Sequence, residues 1–195
     1  GGSVIAAGDI KLEHIFDVIH PIHYGYKYDN TYQTSLLNTI ISKAKYKKLI
    51  LKGDYYIDSS LTALQNWEGV IDADGAKIIC KSDTSIATVL NLSEAKNVTI
   101  NKLIVDAGQS ESTTDSSLRT DSIFYFYNSR NCILEDWEVT NITGGEPIYI
   151  NGSSSLTPTE VDGSKYIYVN RFKCEAFQYN VLDIGAQILI RSNFY

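Results

Sequence analysis

Hydrophobic and polar residues alternate in short bursts along this chain, and three of the bursts can be laid over one another. "NVTINKLIVD" (97–106), "NCILEDWEVT" (131–140) and, one residue out, "YIYVNRFKCE" (166–175) share one order of apolar and polar positions. With Val98, Cys132, Ile167 and Ile188 set level, Ile100, Leu134, Val169 and Ile190 stand two positions on. Leu103, Trp137 and Phe172 stand five on, and Val105, Val139 and Cys174 seven on. Six positions before the anchor come Leu92, Phe126 and Leu182; three before it come the small residues Ala95, Ser129 and Gly185. Alternation with period two predicts strands, and a small residue followed by Asn97 or Asn131 predicts a tight turn before each. The anchors recur after 34, 35 and 21 residues. A rung of about 20 residues fits the shortest interval, and the longer ones then carry loops of roughly a dozen residues.

A strand that returns in register at loop-sized intervals is expected to stack on its own copies, which is the design of a parallel β-helix. A TIM barrel or a Rossmann fold would need amphipathic helices of about 10–15 residues between these strands, and the sequence has none there. An antiparallel sandwich would place turn signals every 8–12 residues or so without like residues returning level. One helix is visible earlier, over about 33–46. "QTSLLNTIISKAKYKK" puts Leu36, Leu37, Ile40, Ile41 and Ala44 on one stripe and gathers its lysines at the C-terminal end, where the helix dipole favours them. Its position predicts a cap over the apolar end of the first rung. The chain therefore divides into a lead segment, 1–28, and a β-helix domain, 29–195, with rungs from about 48.

The opening of that domain resembles a known family. "YGYKYDNT" (24–31), the helix, "KLILKGDYYIDSSLT" (48–62) and "GVIDADGAKI" (69–78) are similar to the start of the pectate-lyase-type right-handed β-helix proteins. Lys52-Gly53-Asp54-Tyr55 stands for that family's Gly-Tyr element, while its longer acidic motif is shortened here to Asp29-Asn30-Thr31. The resemblance covers about 24–195 and implies a mainly β fold, a right-handed parallel β-helix. The Tyr-, Asn- and Ser-rich style resembles bacteriophage tailspike or tail-fibre depolymerases. That implies a virion-tail protein, a homotrimer, that degrades a bacterial surface polysaccharide by glycoside hydrolysis rather than lyase cleavage. A non-catalytic glycan-binding or trunk segment, and a secreted bacterial lyase or epimerase, are the alternatives.

Composition narrows this further. The 195 residues are 44% hydrophobic and 21% charged, ordinary for a globular chain, and the 14 tyrosines suit strands and sugar-contacting surfaces. A net charge of −6 with no basic cluster beyond "KYKK" argues against a nucleic-acid partner, and no apolar run is long enough for membrane insertion. Cys80, Cys132 and Cys174 have no metal-type spacing and read as small core residues. No cofactor is expected. The leading Gly-Gly-Ser and the unfinished rung at "ILIRSNFY" suggest a fragment, truncated at the C-terminus.

Outward positions form columns. Lys102, Asp136 and Arg171 are level, as are Ile104, Glu138 and Lys173, so these charges are expected to pair across strands. Glu135 falls between Asn101 and Asn170 with no charge partner in its column. The favoured catalytic pair is Asp121, opening "SIFYFY", and Glu146, opening "PIYI" one rung later. With Phe126 level with Ile150, Glu146 falls within one residue of the position above Asp121, and two carboxylates that close would suit a retaining glycosidase. Glu135 and Asp106 are further carboxylate candidates. Arg119, in the preceding loop, and outward Tyr125 and Tyr149 are candidates for substrate binding. A lyase could instead draw on Arg119 with Asp115, or on Asp72 and Asp74. His20 and His23 have ligand-like spacing but no third ligand nearby, so no metal site is assigned. Val89, Ile123 and Val181 read as an outward apolar column, the reason to expect three copies packed side by side.

Overall fold

The computed structural model describes residues 5–7, 10–12, 18–82, 84–109, 120–143, 145–152, 163–176 and 182–184. The chain is mainly β, with one α-helix among the described residues. In chain order the strands are β1 (Ile5–Ala7), β2 (Ile10–Leu12), β3 (Val18–Ile19), β4 (Lys48–Ile50) and β5 (Asp54–Ile57). Then follow β6 (Gly69–Asp72), β7 (Lys77–Cys80), β8 (Thr88–Asn91), β9 (Lys96–Asn101) and β10 (Ile104–Asp106). The last are β11 (Ser122–Tyr127), β12 (Arg130–Ile142), β13 (Glu146–Asn151), β14 (Lys165–Ala176) and β15 (Leu182–Ile184). Apart from the antiparallel β1–β2 pair, every pairing among the described residues is parallel.

The strands form three ladders. The first runs β3-β4-β6-β9 into the first half of β12, the second β5-β7-β10 into its second half, and β14 covers both halves. The third runs β8-β11-β13-β15. From β6 onward the chain visits first, second and third ladder in unvarying order.

Register follows the repeat. Val98 stands beside Cys132 and Ile167, Ile100 beside Leu134 and Val169, and Val105 beside Val139 and Cys174. These columns are inward and mostly closed to solvent, and because a slip of one residue would turn every apolar side chain outward, burial fixes the pairing. Each fully buried Leu, Ile or Val contributes about 1.5–3 kcal/mol. One expected alignment shifts: Phe126 pairs with Ile150, as expected, but Leu182 stands beside Ile148, the column of Phe124, two residues from the position expected.

The turns are built from left-handed residues. Asn97, Asn131 and Tyr166 have φ of 51°, 53° and 57°. Asn tolerates this region better than other residues with a Cβ. The Asn131 amide donates to the Asn97 side-chain oxygen at 3.1 Å, and Asn97 donates to Glu68 at 2.7 Å. "IDADG" turns between β6 and β7 at Asp74 and Gly75, with φ of 45° and 83°.

The helix is shorter than the periodicity predicts. α1 spans Thr34–Lys43 and gives way to a turn in which Tyr46 takes φ 65°. Leu37, Ile40, Ile41 and Ala44 are buried in the common core, and the Trp67 indole N–H donates to the Ile41 carbonyl at 2.9 Å. Cys80 and Cys132 are buried there too, with thiols pushed up to about 12 by burial, so they are packing residues.

Candidate functional site

The outer columns sort the carboxylates. Between the first and second ladders the chain turns at Lys102, Asp136 and Arg171, all left-handed, with φ of 55°, 52° and 42°. The Arg171 guanidinium donates to Asp136 at 2.6 Å and, through another nitrogen, to Glu135 at 2.6 Å; Lys173 meets Glu138 at 2.7 Å. The pairing of Asp136 and Glu138 is thus as expected. Glu135 does have a charge partner, against expectation, because the Arg171 fork spans two neighbouring acids. Arg171 also holds the Asp136 carboxyl below its ordinary range.

Asp106 is engaged as well. It receives Lys77 at 2.9 Å, the Asn141 amide at 2.8 Å and the Gly108 N–H at 3.1 Å. Burial raises its pKa, but these donors outweigh burial and leave it below the ordinary value. A general acid needs the opposite shift, so Asp106 is placed to hold the second ladder together.

Asp121 and Glu146 lie together at the entrance of the third ladder. Glu146 pairs in register with Ser122, and its N–H donates to the Asp121 carbonyl at 2.9 Å. The two carboxylates therefore start from neighbouring strands one register position apart. Asp121 is exposed and Glu146 half-buried. Gly145 makes this approach possible. A Cβ there would stand 1.9 Å from the Thr120 carbonyl oxygen and 2.7 Å from that of Asp121. Sequence reasoning missed Gly145, although a Gly-Gly pair just before a strand was the available signal. Beside it the Thr88 and Ser122 hydroxyls are 3.1 Å apart, and the buried Thr120 hydroxyl has no hydrogen-bond partner among the described residues.

Farther along the same strands Tyr125 and Tyr149 are level, with ring centroids 5.6 Å apart and planes tilted by 36°. Both are half-buried, and burial pushes the Tyr125 phenol up, leaving it a protonated donor. The position two residues earlier departs from expectation. Val89 and Ile123 are fully buried, and Pro147, level with Ile123, is buried too. Each lies on the alternation opposite to the inward Leu90, Phe124 and Ile148, so this one column on the outer side of the ladder is covered within one chain. The apolar column needs no neighbouring copy.

Arg119, Asp115 and Val181 lie outside the described residues. Asp72 is paired with Lys48 at 2.7 Å. The His20 and His23 rings are 5.3 Å apart, but among the described residues no three His, Cys, Asp or Glu side chains are grouped to hold a metal. No described helix is long and apolar enough to cross a membrane.

No family model matches the sequence, and no curated protein matches it. A solved structure from Parabacteroides merdae ATCC 43184, provisionally named a glycosyl hydrolase, aligns with a TM-score of 0.39 at 10% identity. The alignment covers 88% of this chain and 95% of that one. At that level the likeness carries no weight for fold or activity.

Proposed function

We propose that the three ladders are the faces of a right-handed parallel β-helix of the pectate-lyase type, and that the third ladder engages a bacterial surface polysaccharide, as in the phage tailspikes the sequence resembles. The visiting order of the chain supports the helix, and parallel crossovers are right-handed in about 98% of cases. The observation that carries the function is the level pair Tyr125–Tyr149, two half-buried rings on adjacent strands of the ladder that Asp121 and Glu146 open. Rings spaced along a strand stack can follow consecutive sugars of an extended chain.

Hydrolysis is assigned to Asp121 and Glu146. The backbones of the two residues are joined by the bond from the Glu146 N–H to the Asp121 carbonyl. Asp121 stands at a bend before β11, and hydrolysis requires that bend to turn its carboxyl toward that of Glu146, to the separation of about 5–5.5 Å in retaining glycosidases. One protonates the glycosidic oxygen while the other attacks the anomeric carbon, and water then releases the sugar. The half-buried Glu146 suits the acid and the exposed Asp121 the nucleophile. A non-catalytic trunk is the second reading, favoured by the ion pairs that occupy the outer charges of β12 and β14.

Incubation with capsular polysaccharides separates these. New reducing ends mean hydrolysis, absorbance of an unsaturated sugar means lyase cleavage, and retention without cleavage means binding alone. Asp121→Asn and Glu146→Gln should each abolish reducing-end release while retention persists. Full activity in both variants would remove the pair from consideration.

A further inference from the structure

A second cleft, remote in sequence from the third ladder, lies where the end of β3, the turn before β5 and the segment around Tyr28 meet. Its volume is about 510 Å³, within the range of small-ligand clefts. Among its lining residues is Tyr28, 46% exposed and yet held on several sides. Its hydroxyl is hydrogen-bonded to that of Tyr55 at 2.9 Å, and its ring meets Tyr26 and Tyr55 edge-on at 5.4 and 5.7 Å. Gly53 lies against it so closely that a Cβ would sit 3.4 Å from two ring carbons, and its φ of 79° independently favours glycine. A ring fixed this way offers an apolar surface to a ligand at little further entropic cost.

Two kinds of wall surround the ring. Pro21, Ile22 and Ile50 are aliphatic, and Ile22 is 56% exposed. Asn30, Lys52 and Asp54 bring an amide, an ammonium and a carboxylate. Neither Lys52 nor Asp54 has an ion-pair partner among the described residues. His20 adds an imidazole whose pKa is lowered by burial and by the nearby His23 and Lys52. The lining charges of Lys52 and Asp54 cancel, and no Gly-rich phosphate loop or cation cluster is present among these residues.

We propose that this cleft is a saccharide subsite for a pyranose bearing a methyl-terminated substituent, an N-acetylhexosamine or a 6-deoxyhexose. The apolar face of the sugar would rest on Tyr28, its hydroxyls would donate to Asp54 and accept from Asn30 and Lys52, and its methyl group would fill the wall formed by Ile22 and its neighbours. The site goes beyond the third-ladder reading and does not depend on it.

The test is an NMR titration of the intact chain with N-acetylglucosamine, rhamnose and glucose. At least one of the first two should give saturable shifts at Tyr28 and Ile22, with glucose at least about fourfold weaker, the effect of one buried methyl. Tyr28→Ala should weaken binding about tenfold. Ile22→Ser, at an exposed position, should keep the thermal midpoint and lose the preference over glucose, which keeps the test decisive if Tyr28→Ala misfolds. Tyr125→Ala should leave these titrations unchanged even where it abolishes polysaccharide retention, so the two sites fail separately. Absence of saturable shifts with all three sugars, equal binding of all three, or an intact preference in Ile22→Ser would overturn the proposal.

Discussion

The ladder through β9, β12 and β14 and the ladder through β8, β11 and β13 follow one alternating pattern and treat their outer faces differently. On the first, and at its turn into the second, outward positions carry acids and bases that meet across strands: Glu135 and Asp136 with Arg171, Glu138 with Lys173. On the third, Val89 and Ile123 lie at the outer positions and are fully buried, followed by the Tyr125–Tyr149 pair. A charge with a partner one strand away is spent on that partner, so the acid-rich "EDWE" segment is the poorer place for chemistry. On the proposed reading the glycan is sought on the third ladder, at the Tyr125–Tyr149 pair.

The sharpest way to break this contrast is a charge on the covered outer column. Ile123→Lys should cost about 4 kcal/mol or more, because the ammonium would be buried without a partner. Urea denaturation measures it. A loss under about 1 kcal/mol would mean that the third ladder presents an open outer face like the first. Next comes Gly145→Ala. One methyl group driven against the Thr120 carbonyl must displace backbone at the entrance to β13, for about 3 kcal/mol. Since Asp121 and Glu146 flank that contact, loss of turnover should accompany loss of stability. A fully stable variant would show that the β11–β13 entrance is loose.

What the sequence made legible, and what it hid, divides along the same line. Inward columns such as Val98–Cys132–Ile167 could be aligned because burial punishes any one-residue slip. The level pairing of Phe126 with Ile150, and hence the nearness of Asp121 to Glu146, followed from the same columns. Alternation assigns a residue to a face but does not tell whether that face is covered, and so Val89 and Ile123 read as exposed. Columns also assume one partner per level. Arg171 breaks that assumption, because at the left-handed turn its long fork reaches both Asp136 and Glu135. Gly145 escaped notice because a glycine's reason is a neighbouring backbone atom, which no pattern of side chains reveals.

Acid separates buried from exposed pairing within the charged ladders. The folded chain holds the Asp106 carboxyl below its ordinary pKa, so it releases that proton more readily than the unfolded chain does. The resulting stabilisation is complete above the unfolded value, near pH 4, and is lost as pH falls through the lower folded value. Asp106→Asn should therefore lower the thermal midpoint at pH 7 and converge with the parent chain once pH has fallen below the folded value. Parallel curves across that window would show that ionisation of Asp106 contributes nothing.

The smallest effect is expected where the contacts look strongest. Arg171 makes three short hydrogen bonds to two carboxylates, at 2.6, 2.6 and 3.0 Å, yet its side chain is 64% exposed and Asp136 is 36% exposed. Water already solvates both partners, ordinary salt screens them, and ordering the long side chain offsets part of the attraction. Arg171→Ala should thus leave the thermal midpoint unchanged within error at about 0.15 M salt. It should also leave polysaccharide retention unchanged, because these charges hold one another and not a ligand. A loss of retention with stability intact would move the glycan contact from the third ladder to the turn at Arg171, and the contrast between the two faces would reverse.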